Sequence, residues 1–192
     1  MESKLIAFDQ QLFVFLNNLG STPYDGFWLF VTKQIHWTPF FLVLLVVIYK
    51  KIGGKQTLYL LLVVALMITC TDQFTNLVKN NVQRLRPCNT SNLLGLIRVV
   101  KASDTFSFFS GHAANSMAVA TFLFAIFRSK ISWFKWLFLW PLVFAYSRIY
   151  LGLHFPLDIL AGFAFGSCSG FAFSRLYVNA EKRSFFGFVF RS

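Results

Sequence analysis

The chain alternates long apolar runs with short polar breaks, and most runs are too continuous to be the one-sided helices of a water-soluble domain. Residues 4–19 differ: their apolar pattern is interrupted by Asp9, Gln10 and Gln11, which suits an amphipathic helix lying at a membrane interface. Ser21 to Gly26 reads as a turn and helix start. Phe27 to Tyr49 forms a first span, kinked or split near Pro39 and closed by Lys50, Lys51 and a Gly53-Gly54 turn. Leu58 to Val78 is a second span, apolar at first and polar from Thr71. After a polar loop from Gln83 to Phe109, further spans run from His112 to Phe127, from Trp133 to Tyr150 with Pro141 inside it, and from Pro156 to Tyr177. Each is near the ~20 residues a bilayer requires, the third being short. The expected fold is all-α: a multi-pass transmembrane bundle of about five spans behind the N-terminal helix, with room for a sixth, in a single domain over residues 1–192.

Composition agrees with the membrane class. Mean hydropathy is +0.60 and 26 residues are phenylalanine. The 18 Lys and Arg against 7 Asp and Glu do not form the solvated basic surface that nucleic acid requires, because they fall between apolar runs. Cys70, Cys88 and Cys168 make no disulfide framework. Met1 to Asp9 lack the basic start and apolar core of a cleavable leader, so the membrane helices are expected to direct targeting.

Charge places the connecting loops. Lys50, Lys51 and Lys55, then Arg128, Lys130 and Lys135, then Lys182, Arg183 and Arg191 belong to one set of short basic loops, as cytoplasmic loops do. The opposite side also carries cations: Lys79, Arg84, Arg86, Arg98, Lys101 and Arg148. A topology signal alone would not charge both sides, so the second set calls for an anionic ligand. Gly162, Gly166 and Gly170 recur every four residues and read as a helix-packing seam. Trp28, Trp37, Trp133 and Trp136 are expected at the membrane interfaces. His36 reads as a lone interfacial histidine, Asp72 as structural, and Arg84, Arg98 and Lys101 as solvated loop cations.

The chemistry concentrates in Ser147 to Asp158, where Arg148, His154 and Asp158 stand at the mouth of an apolar segment. Pro156 places His154 just before a helix and Asp158 in its first turn, close enough to accept a hydrogen bond from one imidazole nitrogen. Taken alone, the pair fits equally a hydrogen-bonded histidine at a helix start. Two more pieces reach the same face: Lys79 followed by Arg86-Pro87, and Ser110-Gly111-His112 opening a helix. Guanidinium forks, a lysine and a helix start suit tetrahedral phosphate. Two histidines can divide the work of nucleophile and general acid without a metal.

Lys79 to Pro87, Ser110 to His112 and Ser147 to Asp158 resemble the three signature motifs of the type 2 phosphatidic acid phosphatase (PAP2) superfamily. The spacings K-x6-R-P and S-R-x5-H-x3-D are met in full within a motif core of residues 79–158. Phe109 stands where the family usually has proline before Ser-Gly-His. The resemblance implies a metal-independent lipid phosphatase, with no cofactor, working through a phosphohistidine. It makes His154 the nucleophile, Asp158 its orienter and His112 the acid, with Lys79, Arg86, Ser110, Gly111 and Arg148 on the phosphate. It implies a lipid phosphate as substrate, a bacterial inner membrane as location and a site on the extracytoplasmic side. Among undecaprenyl diphosphate, phosphatidylglycerol phosphate, phosphatidic acid and lipid A phosphate, the first is preferred, although no residue reads the leaving group. Two alternatives are a non-catalytic lipid-phosphate binding or transport protein and a haloperoxidase.

Overall fold

The computed structural model describes residues 2–183, which contain seven α-helices and no strand. They are α1 (Glu2–Asn18), α2 (Asp25–Val31), α3 (Thr38–Ile52), α4 (Gly54–Val82), α5 (Gly111–Phe127), α6 (Leu139–Tyr150) and α7 (Pro156–Arg183), with short 3-10 turns between several of them. By length and composition, Gln34–Ile52, Gly54–Leu93 and Pro156–Glu181 suffice to cross a membrane, while α5 is apolar but shorter at 17 residues. The lipid-facing character of α3, α4 and α7 is visible in Leu42, Val46, Leu62, Leu66, Leu160 and Leu176, all more than half exposed.

Prolines set where two expected spans break. The first splits at Thr32-Lys33, and a 3-10 turn at Gln34–Trp37 precedes α3. Pro39 lies in the first turn of α3, where its missing N–H leaves nothing unpaired. The expected fourth span is a 3-10 segment, Ser132–Phe138, running into the 12-residue α6. Pro141 is the third residue of α6, and its ring bars a regular helix from extending back through Leu137.

α5 is the central helix. Ala113, Ala114, Ala118, Phe122 and Phe127 are each fully buried, as suits a helix apolar on all sides. Its principal partner is α7, and the glycine seam explains the closeness. A methyl group at Gly166 or Gly170 would collide with the carbonyl oxygen of Ala114 or Ala118. One at Gly162 would come within 2.7 Å of the Ser110 oxygen.

The N-terminal helix corrects the expected amphipathic picture. Asp9, Phe13 and Asn17, spaced four apart on one face, are 1%, 0% and 0% exposed, whereas Leu5, Ile6, Phe8 and Phe15 face outward. The polar positions anchor the helix to the protein. Asn17 donates to the carbonyls of Arg98, Ile149 and Tyr150 at 3.0–3.1 Å, which satisfies backbone that would otherwise be buried unpaired.

Trp133 and Trp136 are exposed as expected. Trp28 and Trp37 are built into the protein: Trp28 stacks on Tyr150 with centroids 5.3 Å apart, and Trp37 Nε1 donates to the Val31 oxygen at 2.8 Å. The basic residues of the first set fall at the ends of α3 and α5, the start of α4 and the turn before α6. Arg191 and the side chains of Lys182 and Arg183 lie outside the described residues. The three cysteines are free.

Candidate active site

The end of α4, the start of α5 and the α6–α7 connection meet at one end of the bundle. Gln83 closes α4 in the left-handed conformation, its N–H bonded to the Lys79 oxygen at 2.9 Å, and so turns Arg84 and Arg86 back over the helix ends. Ser110 caps α5, its hydroxyl accepting from the Ala113 N–H at 3.4 Å. Its own N–H donates to the Asp158 carbonyl at 3.0 Å, which ties the starts of α5 and α7 together. Phe109 occupies the usual proline position as a buried side chain packed on Phe165, so the substitution leaves Ser110 seated against α7.

Arg86, Arg148, His154, Asp158 and Ser110 are all buried, at 6% exposure or less. The Arg148 carbonyl accepts from the N–H groups of Leu153 and His154, at 2.9 and 3.3 Å, and this turn carries His154 back beside Arg148. Asp158 Oδ2 accepts from the Phe155 N–H at 2.9 Å, a reciprocal cap on the first turn of α7. Lys79 interacts through space with Arg86, Arg148 and Asp158, and His112 with Arg148, His154, Lys79 and Arg86, so the residues expected from sequence converge. A methyl at Gly111 would meet the Thr75 methyl at 3.5 Å and Asp72 Oδ1 at 3.9 Å, both ordinary contacts. Protein packing alone therefore does not demand glycine there.

The two nitrogens of His154 face different partners. Nε2 lies 3.2 Å from Arg86 Nη1. Guanidinium has only donors, so Nε2 presents its lone pair and the proton of the neutral ring belongs on Nδ1. Nδ1 faces Asp158 Oδ2 at 3.5 Å, with no closed hydrogen bond between them. The expected imidazole–carboxylate pair is thus aligned but not closed. Burial first, then the charges of Arg86, Arg148 and Lys79, hold the His154 imidazole well below its ordinary value.

Both arginines beside His154 are anchored from behind. Arg86 donates through Nε to the Thr105 oxygen at 2.7 Å and through Nη2 to Thr105 Oγ1 at 2.8 Å. Arg148 donates through Nη1 to Thr32 Oγ1 at 2.6 Å, while its Nε is buried without a partner. Among the described residues, no group of three or more His, Cys, Asp or Glu is placed to hold a metal ion.

Several residues depart from their sequence readings. Arg84 is no solvated cation: it bridges Asp9 and Asp158, at 2.6 Å to each. Arg98 pairs with Asp25 at 2.7 Å, while Lys101 is exposed as expected. Asp25 and Tyr150 raise the Arg98 guanidinium above its ordinary value, and Arg98 holds Asp25 below the usual carboxylate range. Asp72 accepts from Asn76 and Asn115 at 3.2 and 3.4 Å. His36 stacks on Phe30 with centroids 3.9 Å apart. Asp9, Thr32 and Thr105 were missed. An acid within an apolar helix was the one available signal, since such a charge needs a partner.

His112, packed on Phe144 at 5.1 Å, also borders a cavity of about 440 Å³ between α3, α4, α5 and α6. Its walls are mostly apolar, with Leu44, Ile48, Leu60 and Leu123 further along the helices and Gln34, Thr38 and Ser116 as the polar residues beside His112 and Asn115. Its size is that of a small-molecule pocket.

Comparison with known proteins agrees with this geometry. Residues 56–182 match the PAP2 superfamily. The chain is 36% identical over 170 residues to a lipid A 4'-phosphatase of Bacteroides thetaiotaomicron, covering 86% of this chain and 75% of that one. It is 28% identical to a lipid A 4'-phosphatase of Porphyromonas gingivalis, over 93% and 77% of the two chains. It is 29% identical to an undecaprenyl-diphosphatase of Sulfolobus acidocaldarius, over 86% and 77%. The fold superposes on the crystal structure of a transmembrane PAP2 type phosphatidylglycerolphosphate phosphatase from Bacillus subtilis with a TM-score of 0.68 at 18% identity, over 92% of this chain and 87% of that one. Aquifex aeolicus LpxE gives 0.64 at 25% identity, over 86% and 93%. The chain belongs to the PAP2 superfamily, as an integral membrane lipid phosphatase that hydrolyses a phosphoric ester.

Proposed function

We propose that the chain removes the 4'-phosphate of lipid A, with His154 as nucleophile. The Nε2 lone pair attacks phosphorus, the bond from phosphorus to the lipid oxygen breaks, and His112 gives its proton to that oxygen, releasing the lipid alcohol. Water then attacks the phosphohistidine and returns its proton to His112, leaving inorganic phosphate and free His154. Asp158 holds the Nδ1 proton, while Arg86, Arg148, Lys79, the Ser110 hydroxyl and the Gly111 N–H take the phosphate oxygens. The observation that carries the chemistry is the placement of His154 Nε2 3.2 Å from Arg86 Nη1, which makes Nε2 the nitrogen that bears the lone pair and sets it beside a guanidinium that would hold the phosphate. The cavity beside His112 suits the hydrocarbon of the leaving group.

Both lipid A 4'-phosphatase relatives match along most of the chain, and this favours lipid A over the other lipid phosphates. Undecaprenyl diphosphate is the second reading, favoured by the Sulfolobus relative. The short basic loops lie at the end opposite the site, which supports an extracytoplasmic active site in a bacterial inner membrane.

The test is phosphate release in excess chelator from lipid A, undecaprenyl diphosphate, phosphatidylglycerol phosphate and phosphatidic acid. Wild type should act on lipid A, while His154→Ala and His112→Ala lose activity. Normal release by His154→Ala would sink the mechanism, and preference for another lipid would replace the substrate. Phosphate binding with no release from any of them would favour the transport reading.

A further inference from the structure

Arg84 touches neither histidine, yet both prongs of its guanidinium are engaged. Nη1 lies 2.6 Å from Asp158 Oδ1 and Nη2 lies 2.6 Å from Asp9 Oδ2, and the group covers the Phe155 ring at 4.2 Å. Both carboxylates are buried, at 1% and 0% exposure. Each uses its second oxygen on the start of α7: Asp9 accepts from the Leu157 N–H and Asp158 from the Phe155 N–H, both at 2.9 Å.

One cation shared by two carboxylates leaves the trio net anionic, with Asp158 Oδ2 3.5 Å from His154 Nδ1. When Nε2 bonds to phosphorus, positive charge develops on the ring and the Nδ1 proton turns more acidic. A nearby counter-charge in a buried site stabilises that state more than the resting one. Were Arg84 to serve Asp158 alone, its charge would cancel the carboxylate just where it is needed.

The helix carrying Asp9 grips the same stretch at three points. Asp9 holds the start of α7, the Phe13 and Phe155 rings meet edge-on at 5.3 Å, and Asn17 binds the carbonyls of Ile149 and Tyr150 at the end of α6. His154 lies between those points, and Arg148 directly precedes the first of them. Residues 2–18 fall outside the segment that matches the superfamily, so this brace is an addition to the matched core.

We propose that Asp9 and Arg84 are positioning residues for the phosphatase reaction: Asp9 draws one prong of Arg84 away from Asp158, which keeps Asp158 oriented and anionic toward His154. The inference rests on His154 as the nucleophile.

The test uses the full chain purified in detergent. Asp9→Asn keeps the side-chain volume and an acceptor for the Leu157 N–H but removes the charge. It should lower kcat about tenfold, about 1.4 kcal/mol in the barrier, with KM changed less than about twofold because Asp9 touches no substrate. Asp9→Glu should recover most of the rate. Arg84→Lys, a point charge unable to span both carboxylates, should fall as Asp9→Asn does. Thermal unfolding confirms that each variant is folded.

Rapid mixing with alkaline quench then measures phosphoenzyme formation from lipid A labelled in its 4'-phosphate, or from terminally labelled undecaprenyl diphosphate if the wild type prefers it. Slower labelling of Asp9→Asn, by the same factor as kcat, supports the proposal. Unchanged labelling and kcat overturn it while leaving His154 as nucleophile. A rise in KM alone, or Asp9→Glu no better than Asp9→Asn, reduces the trio to a structural clamp and overturns it too. No label in the wild type overturns the nucleophile reading, and this inference with it.

Discussion

The glycine seam between α5 and α7 offers a test of how far site geometry depends on helix packing. In Gly162→Ala the new methyl would lie 2.7 Å from the Ser110 oxygen and 3.0 Å from Ala113 Cβ. Restoring ordinary contact at 3.4 Å moves the Ser110 carbonyl by about 0.7 Å, and a misplacement of ~1 Å at a catalytic site costs about 100-fold. The movement pulls on the bond from the Ser110 N–H to the Asp158 oxygen, which holds the start of α5, and with it His112, against α7. A loss of at least about tenfold in kcat/KM is expected, on top of ~1–3 kcal/mol of overpacking, less the ~1 kcal/mol that alanine gains over glycine in a helix.

Two controls separate geometry from stability. Gly170→Ala collides with the Ala118 carbonyl oxygen and meets Thr121 Cβ at 2.9 Å at the far end of the same seam. It should lose at least as much stability and keep kcat/KM within about threefold, which is ~0.7 kcal/mol. Gly26→Ala meets nothing within 4 Å and should be neutral or slightly stabilising. Phosphate release and thermal unfolding, measured on the same preparations, give both quantities. If Gly162→Ala and Gly170→Ala lost stability alike and neither lost activity, the claim that the seam sets the site would be refuted.

Replacing Thr32 by Val removes the 2.6 Å bond that holds buried Arg148. A hydrogen bond to a charged group contributes ~1.5–3 kcal/mol, so inhibition by inorganic phosphate should weaken about tenfold or more, and Thr32→Ser should largely restore it. Unchanged inhibition would remove Arg148 from the phosphate site. The depressed His154 gives a pH prediction. A nucleophile that is already neutral loses activity only when pH falls through its own lowered pKa, so its acid limb in kcat/KM should lie below the ordinary imidazole value of ~6.5. Arg86→Gln removes a cation that disfavours the imidazolium, so whatever activity remains should show this limb moved to higher pH. The shift should be partial, because burial is the larger cause. A wild-type limb at or above the ordinary value would contradict the burial argument.

The sequence alone determined the class of the fold and which residues could be proposed for the phosphate site. Apolar runs near membrane length report their solvent directly, and a glycine every fourth residue reports a close helix contact, because both are local consequences of side-chain size and polarity. Lys79, Arg86, His112, Arg148, His154 and Asp158 could be picked out because ionisable groups in such a chain have few structural uses.

The tertiary structure alone decided what stands behind them. Arg84 looked like a loop cation and Asp9 like the wet side of an interfacial helix. Their partners lie 74 and 75 positions away, and no local pattern encodes so distant a pair. Thr32 and Thr105 are ordinary threonines until the chain brings Arg148 and Arg86 onto their hydroxyls. Likewise, the spacing of His154 and Asp158 shows that the two can meet. Only the packed helix ends put Nδ1 toward the carboxylate and Nε2 toward Arg86, because ring orientation is fixed by partners on other elements and not by the residues beside it.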